Sequence, residues 1–221
     1  MDAYSGPYIG GGINYQYTIG DAFLLNDNLA EVKTDRINAR DINLVRARIG
    51  AIGATINTGY GSFYDKYYFG LDFCADITNK KSHTQTIDFY KESKIKTAEL
   101  VPTLAIRIGR FISPINSLIY ARFGITALCN HFYNSWTYKG FFNRGFDCNK
   151  IVPVIGFGFE KIISNHYSIT FEGDYRFPAN KKENNVKGCD EENKTFFENY
   201  KASIENKARG YAIRLMCIYH F

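Results

Sequence analysis

No apolar stretch in this 221-residue chain reaches the roughly 18 residues that a membrane-spanning helix requires, and the mean hydropathy is slightly negative. A helical membrane protein is thereby excluded. A β-barrel is not, because only alternate residues of each of its strands need be apolar. The chain also lacks a strong excess of charge of one sign. Its net charge of +5 is spread along the sequence and implies no nucleic-acid partner. Five cysteines without a CxxC pair argue against a zinc or thioredoxin-type site, and no cofactor is implied. Gly10-Gly11-Gly12 is not followed by a helical pattern, so it is no phosphate loop, and small residues there make room in an interior. The opening Met1-Asp2-Ala3-Tyr4 has neither a basic nor an apolar segment, as expected of an exported chain whose signal peptide has been removed.

What the chain does have is aromatic residues, 17 Tyr and 18 Phe, placed in alternation. In Tyr167–Phe177, Tyr167, Ile169, Phe171, Tyr175 and Phe177 alternate with Ser168, Thr170, Glu172, Asp174 and Arg176. Successive side chains of a strand point to opposite sides, so this is a strand with one aromatic face and one charged face. Similar alternation predicts strands over Tyr8–Ile19, Asn43–Asn57, Tyr67–Ile77, Thr97–Arg110, Leu118–Tyr133, a stretch from Val152, and Ala208–Phe221. In the second of these the pattern sets Val45, Ala47, Ile49 and Ala51 on the apolar face, opposite Arg46 and Arg48. Pro102 in the middle of the fourth predicts a bulge or a local edge.

The connections alternate between long and short. The long ones fall at about 20–42, 78–96, 134–150 and 178–206; the short ones at about Thr58–Asp65, Phe111–Ser117 and Ile163–His166. An up-and-down meander puts all its long loops on one rim, and outer-membrane barrels have this asymmetry. The expected fold is therefore a single domain, an eight-stranded antiparallel transmembrane β-barrel with four external loops. Closure is required because an open strand edge cannot be left in lipid.

The polar faces collect Arg46, Arg48, Arg107, Arg122, Arg176 and Arg214 against Asp72, Asp76, Glu99, Glu160, Glu172 and Asp174. As the exterior of a soluble protein these charges would force bulky aromatics from eight strands into one core. As the lining of an eight-stranded barrel, whose interior is just filled by side chains, six cations balance six anions. Folding the last two strands about the centre of their loop places Glu172 opposite Ala212 and one diagonal step from Arg214, which predicts a Glu172–Arg214 ion pair.

Tyr8-Ile-Gly-Gly-Gly-Ile-Asn-Tyr15 resembles the opening strand of the OmpA-type family of small outer-membrane barrels. Pro153-Val-Ile-Gly-Phe-Gly-Phe-Glu160 and Asp174-Tyr-Arg-Phe177 resemble that family's sixth and seventh strands. The terminal Tyr219-His-Phe221 is similar to the C-terminal aromatic signal, Tyr219 and Phe221, read by the barrel assembly machinery. The resemblance covers strands, not loops, and no peptidoglycan-binding domain follows. It implies a Gram-negative outer-membrane protein with Glu160 as a lumen carboxylate; the family's arginine on the seventh strand is Glu172 here. Activity stays open, since such barrels anchor, adhere, conduct or catalyse.

His166-Tyr167-Ser168 with Glu172 downstream is similar to the His-x-Ser arrangement of lipid A deacylases, but its place in a short turn on the periplasmic rim points to a structural role. Cys148 and Cys189 both fall in predicted external loops; a disulfide between them and two free thiols are both compatible with the spacing. Lys80-Lys81 and Lys181-Lys182 are either lipopolysaccharide contacts or solvated loop charges. The leading expectation is a monomeric, non-enzymatic surface barrel, an adhesin or surface antigen, with outer-membrane lipid, lipopolysaccharide, the assembly machinery and a host or envelope protein as partners. A narrow pore and a lipid A-modifying hydrolase are the alternatives.

Overall fold

The computed structural model describes residues 5–26, 42–79, 82–88, 91–96, 100–136, 142–186 and 202–221, with side chains described at 5–21, 48–79, 100–128, 150–180 and 207–221. Its strands are β1 (Gly6–Asn26), β2 (Ile42–Tyr64), β3 (Tyr67–Thr78), β4 (Ser82–Asp88), β5 (Lys91–Lys96), β6 (Leu100–Ile112), β7 (Ser117–Trp136), β8 (Phe142–Ile162), β9 (Tyr167–Val186) and β10 (Ala202–His220). All pairings are antiparallel. β1, β2, β3, β6, β7, β8, β9 and β10 follow one another around a closed eight-stranded up-and-down barrel, sealed by the pairing of β1 with β10.

The short connections share one rim. Asp65 takes a left-handed backbone in the turn between β2 and β3, a turn that falls later than Thr58–Asp65 because β2 runs to Tyr64. Between β6 and β7 the chain makes a 3-10 turn, Ser113–Ile115, closed by left-handed Asn116. Hydrogen bonds stitch this rim together: Phe111 N–H to Lys66 O (2.9 Å), Ile162 N–H to Asn116 O (3.2 Å), His220 N–H to His166 O (2.8 Å) and Phe221 N–H to Pro7 O (3.2 Å).

At the other rim the strands run well into the predicted loops. The segments 20–26, 134–136, 142–150, 178–186 and 202–206 are strand, so the long connections are shorter than the sequence pattern implies. The expected loop at 78–96 holds the β4–β5 hairpin. β5 continues the wall by pairing with residues 131–136 of β7, beyond the reach of β6, and β4 lies against β2. The hairpin thus takes the place of the short β3 and β6 at the upper wall. Pro102 causes no bulge: it pairs in register with Ala75 of β3, and the β6–β7 ladder starts one residue later, at Thr103.

The barrel is inside out relative to a soluble protein. On β9, Phe171 is 51% exposed and its neighbour Glu172 is 0% exposed. Ile13, Ile56, Leu71, Ile106, Ile125, Phe157 and Leu215 are likewise exposed, and together they form an apolar belt that only lipid can satisfy. Aromatic clusters edge the belt. Tyr167, Tyr219 and Phe221 pack near the short-turn rim, and Tyr17, Tyr211, Tyr175 and Phe177 pack toward the other. The eight residue steps from Tyr167 to Tyr175, at about 3.4 Å each and a tilt near 40°, span about 21 Å, close to the apolar band of a membrane barrel.

One face assignment is reversed. Ile49 and Ala51 are buried in the lumen and Arg48 is exposed on the outside, the opposite of the phase read from Val45–Ala51. The phase of β2 is set by its other half, where Ile52, Ile56 and Tyr60 face lipid. Arg48 lies beyond the aromatic belt, where an outward charge meets water and headgroups instead of hydrocarbon.

Candidate functional site

The lumen is filled by the side chains that the inward parity of each strand delivers. Register alternates bulk with space. Glu172 is opposite Arg214 on one side and Gly158 on the other; Gly158 faces Tyr120, which faces Gly109, which faces Tyr68. A Cβ on Gly158 would run into the Tyr120 ring, and one on Gly59 into the Tyr8 hydroxyl, so these glycines are needed for the tyrosines to lie across the lumen.

Four arginines and four carboxylates form one continuous network, all buried. Arg107 donates to Glu172 Oε1 at 2.7 Å and meets Asp72 at 3.2 Å. Its guanidinium lies 5.2 Å from the Tyr8 ring centroid and 4.8 Å from that of Tyr120, contacts in which the ring faces favour the cation. Tyr120 Oη donates to the same Glu172 oxygen at 2.5 Å. Arg122 binds Asp72 at 2.6 Å and Asp174 at 2.7 Å. Arg214 grips both oxygens of Asp76, through Nε at 2.8 Å and Nη2 at 2.6 Å, and also bonds Asp174. Arg176 closes the network on Asp76 at 2.7 Å and Gln16 Oε1 at 2.9 Å. Asn57 donates to Asp72 (3.1 Å) and Asn14 to Asp76 (3.4 Å). With signs balanced and hydrogen bonds shared, the buried charges have the compensation that an apolar surrounding demands.

A second cluster sits nearer the short-turn rim. Ser168 Oγ donates to Glu160 Oε1 at 2.6 Å and lies 3.1 Å from His220 Nε2, which is 2.9 Å from the same Glu160 oxygen. This contact pattern does not fit the deacylase-like arrangement. Ser168 is turned to His220 and Glu160, whereas His166 is exposed on the rim, stacked on Tyr219, and Glu172 is held by Arg107 and Tyr120. Moreover, serine and carboxylate share one nitrogen of His220. In a nucleophilic relay the acid would orient the histidine from its other nitrogen.

Of the twelve charged residues expected in the lumen, the structure brings together Asp72, Asp76, Arg107, Arg122, Glu172, Asp174, Arg176 and Arg214, and places Glu160 in the second cluster. Arg48 is outside. Glu99, Cys189 and the side chains of Arg46 and Cys148 lie outside the described residues. The Glu172–Arg214 contact exists at 3.5 Å, but the register differs by two from the expected one: Glu172 is directly opposite Arg214, and Ala212 is opposite Asp174. The site also includes Tyr8, Tyr120, Asn14, Gln16, Asn57 and His220. Their inward parity is readable in the sequence, but a charge-only search passes over them. Tyr219 and Phe221 face outward on the short-turn rim.

Neither a protein-family model nor a curated protein sequence matches the chain. Solved structures do. The outer membrane protein OprG from Pseudomonas aeruginosa superposes with a TM-score of 0.54 at 14% identity, covering 99% of this chain and 97% of that one. The outer membrane protease OmpT from Escherichia coli gives 0.52 at 12% identity, with 97% of each chain covered. At such identities the similarity is one of architecture: this chain has the fold of bacterial outer-membrane barrels.

Proposed function

We propose that the protein is a non-enzymatic surface barrel of the Gram-negative outer membrane, of the OmpA type, which presents its long-strand rim to the exterior as an adhesin or surface antigen. The observation that carries this reading is the lumen network. Arg107, Arg122, Arg176 and Arg214, with Asp72, Asp76, Glu172 and Asp174, fill the cross-section with charges already neutralised by one another. Such a lumen offers a solute neither an open path nor an unoccupied catalytic group. Function then falls to the strands and connections that rise beyond the bilayer, where a host or envelope protein is the partner class. Tyr219 and Phe221 serve as the assembly signal. Planar-bilayer recording of the refolded full chain tests this directly. The expected trace is silent, and regular ohmic steps from the wild type would favour the narrow-pore reading instead. Mass spectrometry of lipid A from expressing cells is expected to show unchanged acylation; loss of an acyl chain dependent on Ser168 would favour the hydrolase.

A further inference from the structure

Arg48 has no role in the lumen network, and its position has a chemical consequence of its own. On β1, Tyr17 is paired with Tyr211 of β10, which is opposite Tyr175 of β9; these rings form the aromatic edge toward the long-strand rim. Two residues further along the strands, Ile19 pairs with Arg48 of β2 on one side and Arg209 of β10 on the other. Both arginines are exposed, and neither makes an ion pair among the described residues. Two residues along a tilted strand place this row about 5 Å beyond the tyrosines, the depth at which lipid headgroups begin.

Two residues further along β10, Lys207 is opposite Asp21 of β1, so that pair adds no net charge to the row. Next to Arg48, a Cβ on Gly50 would strike the Tyr15 hydroxyl, so the glycine leaves room for a tyrosine to lie on the wall just below the arginine. Arg48 and Arg209 stand two strand spacings apart, about 10 Å at the backbone, and two long side chains flanking one isoleucine can converge on a single anion. Guanidinium binds phosphate oxygens in a paired, planar geometry.

We propose that Arg48 and Arg209, across Ile19, form a binding site for a phosphate group of outer-leaflet lipopolysaccharide. The site rests on the outer-membrane reading given above and on the long-strand rim being external. The lipid lies against the barrel wall, its acyl chains on the apolar belt below Tyr17 and Tyr211 and its phosphate between the two arginines.

The test uses the refolded full chain in detergent, with bisphosphorylated lipid A as the probe and native mass spectrometry as the readout; folding is verified for every variant by heat-modifiable gel mobility. Wild type is expected to retain lipid A, and Arg48→Gln with Arg209→Gln to weaken retention at least tenfold. Ile19→Arg, which adds a cation to the row without removing anything from the lumen, is expected to strengthen it. A control pair on the opposite rim, Lys66→Gln with Arg110→Gln, removes the same charge and is expected to leave retention unchanged. Equal retention by the double arginine variant would overturn the site, as would an equal loss in the control pair or equal retention of dephosphorylated lipid A. A wild-type chain unable to fold in lipid vesicles at all would overturn the membrane reading, and the site with it.

Discussion

Arg214 is held by three carboxylates at once: Asp76 through both oxygens, Asp174, and Glu172 at the longer distance of 3.5 Å. At 0% exposure its guanidinium has no water to fall back on. Removing one member of a buried ion pair leaves an uncompensated charge, a loss of about 3–5 kcal/mol, whereas removing both members costs far less than the sum. Arg214→Met and Asp76→Asn should therefore each lower urea stability by an amount in that range. The double variant should recover much of the loss, because Arg176 and Asp174 still have partners in Gln16 and Arg122. Coupling between Arg214 and Glu172 should be smaller than that between Arg214 and Asp76, in line with the longer contact. Additive losses for Arg214 and Asp76 would mean that the network is not a single electrostatic unit.

Strand β2 shows how a single element crosses three environments. From Tyr60 to Ile52 its outward residues face hydrocarbon; at Gly50 it passes the aromatic edge, and Arg48 stands in the headgroup region. Ile52→Arg places a cation in the apolar belt and should cost about 2–4 kcal/mol of folding in vesicles, whereas Arg48→Ser, at the interface, should cost about 0–1 kcal/mol. Equal effects at the two positions would mean that the depth assignment is wrong. The same change of environment explains what could be read from the sequence. The faces of β9 and β10 were legible because Tyr167–Phe177 and Tyr211–Phe221 stay at membrane depth and their alternation is hardly broken. Arg48 misleads because an outward charge above the bilayer looks, in sequence, like an inward charge within it. The extensions of β1, β7, β8, β9 and β10, and the β4–β5 hairpin, are not legible in the sequence because their residues lack a regular apolar alternation, which a backbone ladder does not require. Parity marked Ser168, Glu160 and His220 as inward. Glu160 and Ser168 meet across the short β8–β9 turn, but the arrival of His220 depends on the β9–β10 register, set across a long connection that local pattern does not encode, and the two-residue shift that puts Glu172 opposite Arg214 has the same origin.

At the scale of the whole molecule, the fold turns a soluble protein inside out. Aromatics that would fill a sandwich core form a belt, and charges that would coat a surface form the plug. On the proposed reading, a lumen filled by this network leaves the wall and the outer rim as the functional surfaces, and the wall carries Arg48 and Arg209 at headgroup depth. The central claim is that the aromatic face of each strand meets lipid. A single tryptophan reports this most directly: Phe171→Trp in a Trp136→Phe background, folded into vesicles of lipid brominated on its acyl chains. The account predicts strong quenching by the brominated lipid and little by aqueous acrylamide. A blue-shifted emission that neither quencher reaches would place Phe171 in a protein core and contradict the inside-out barrel.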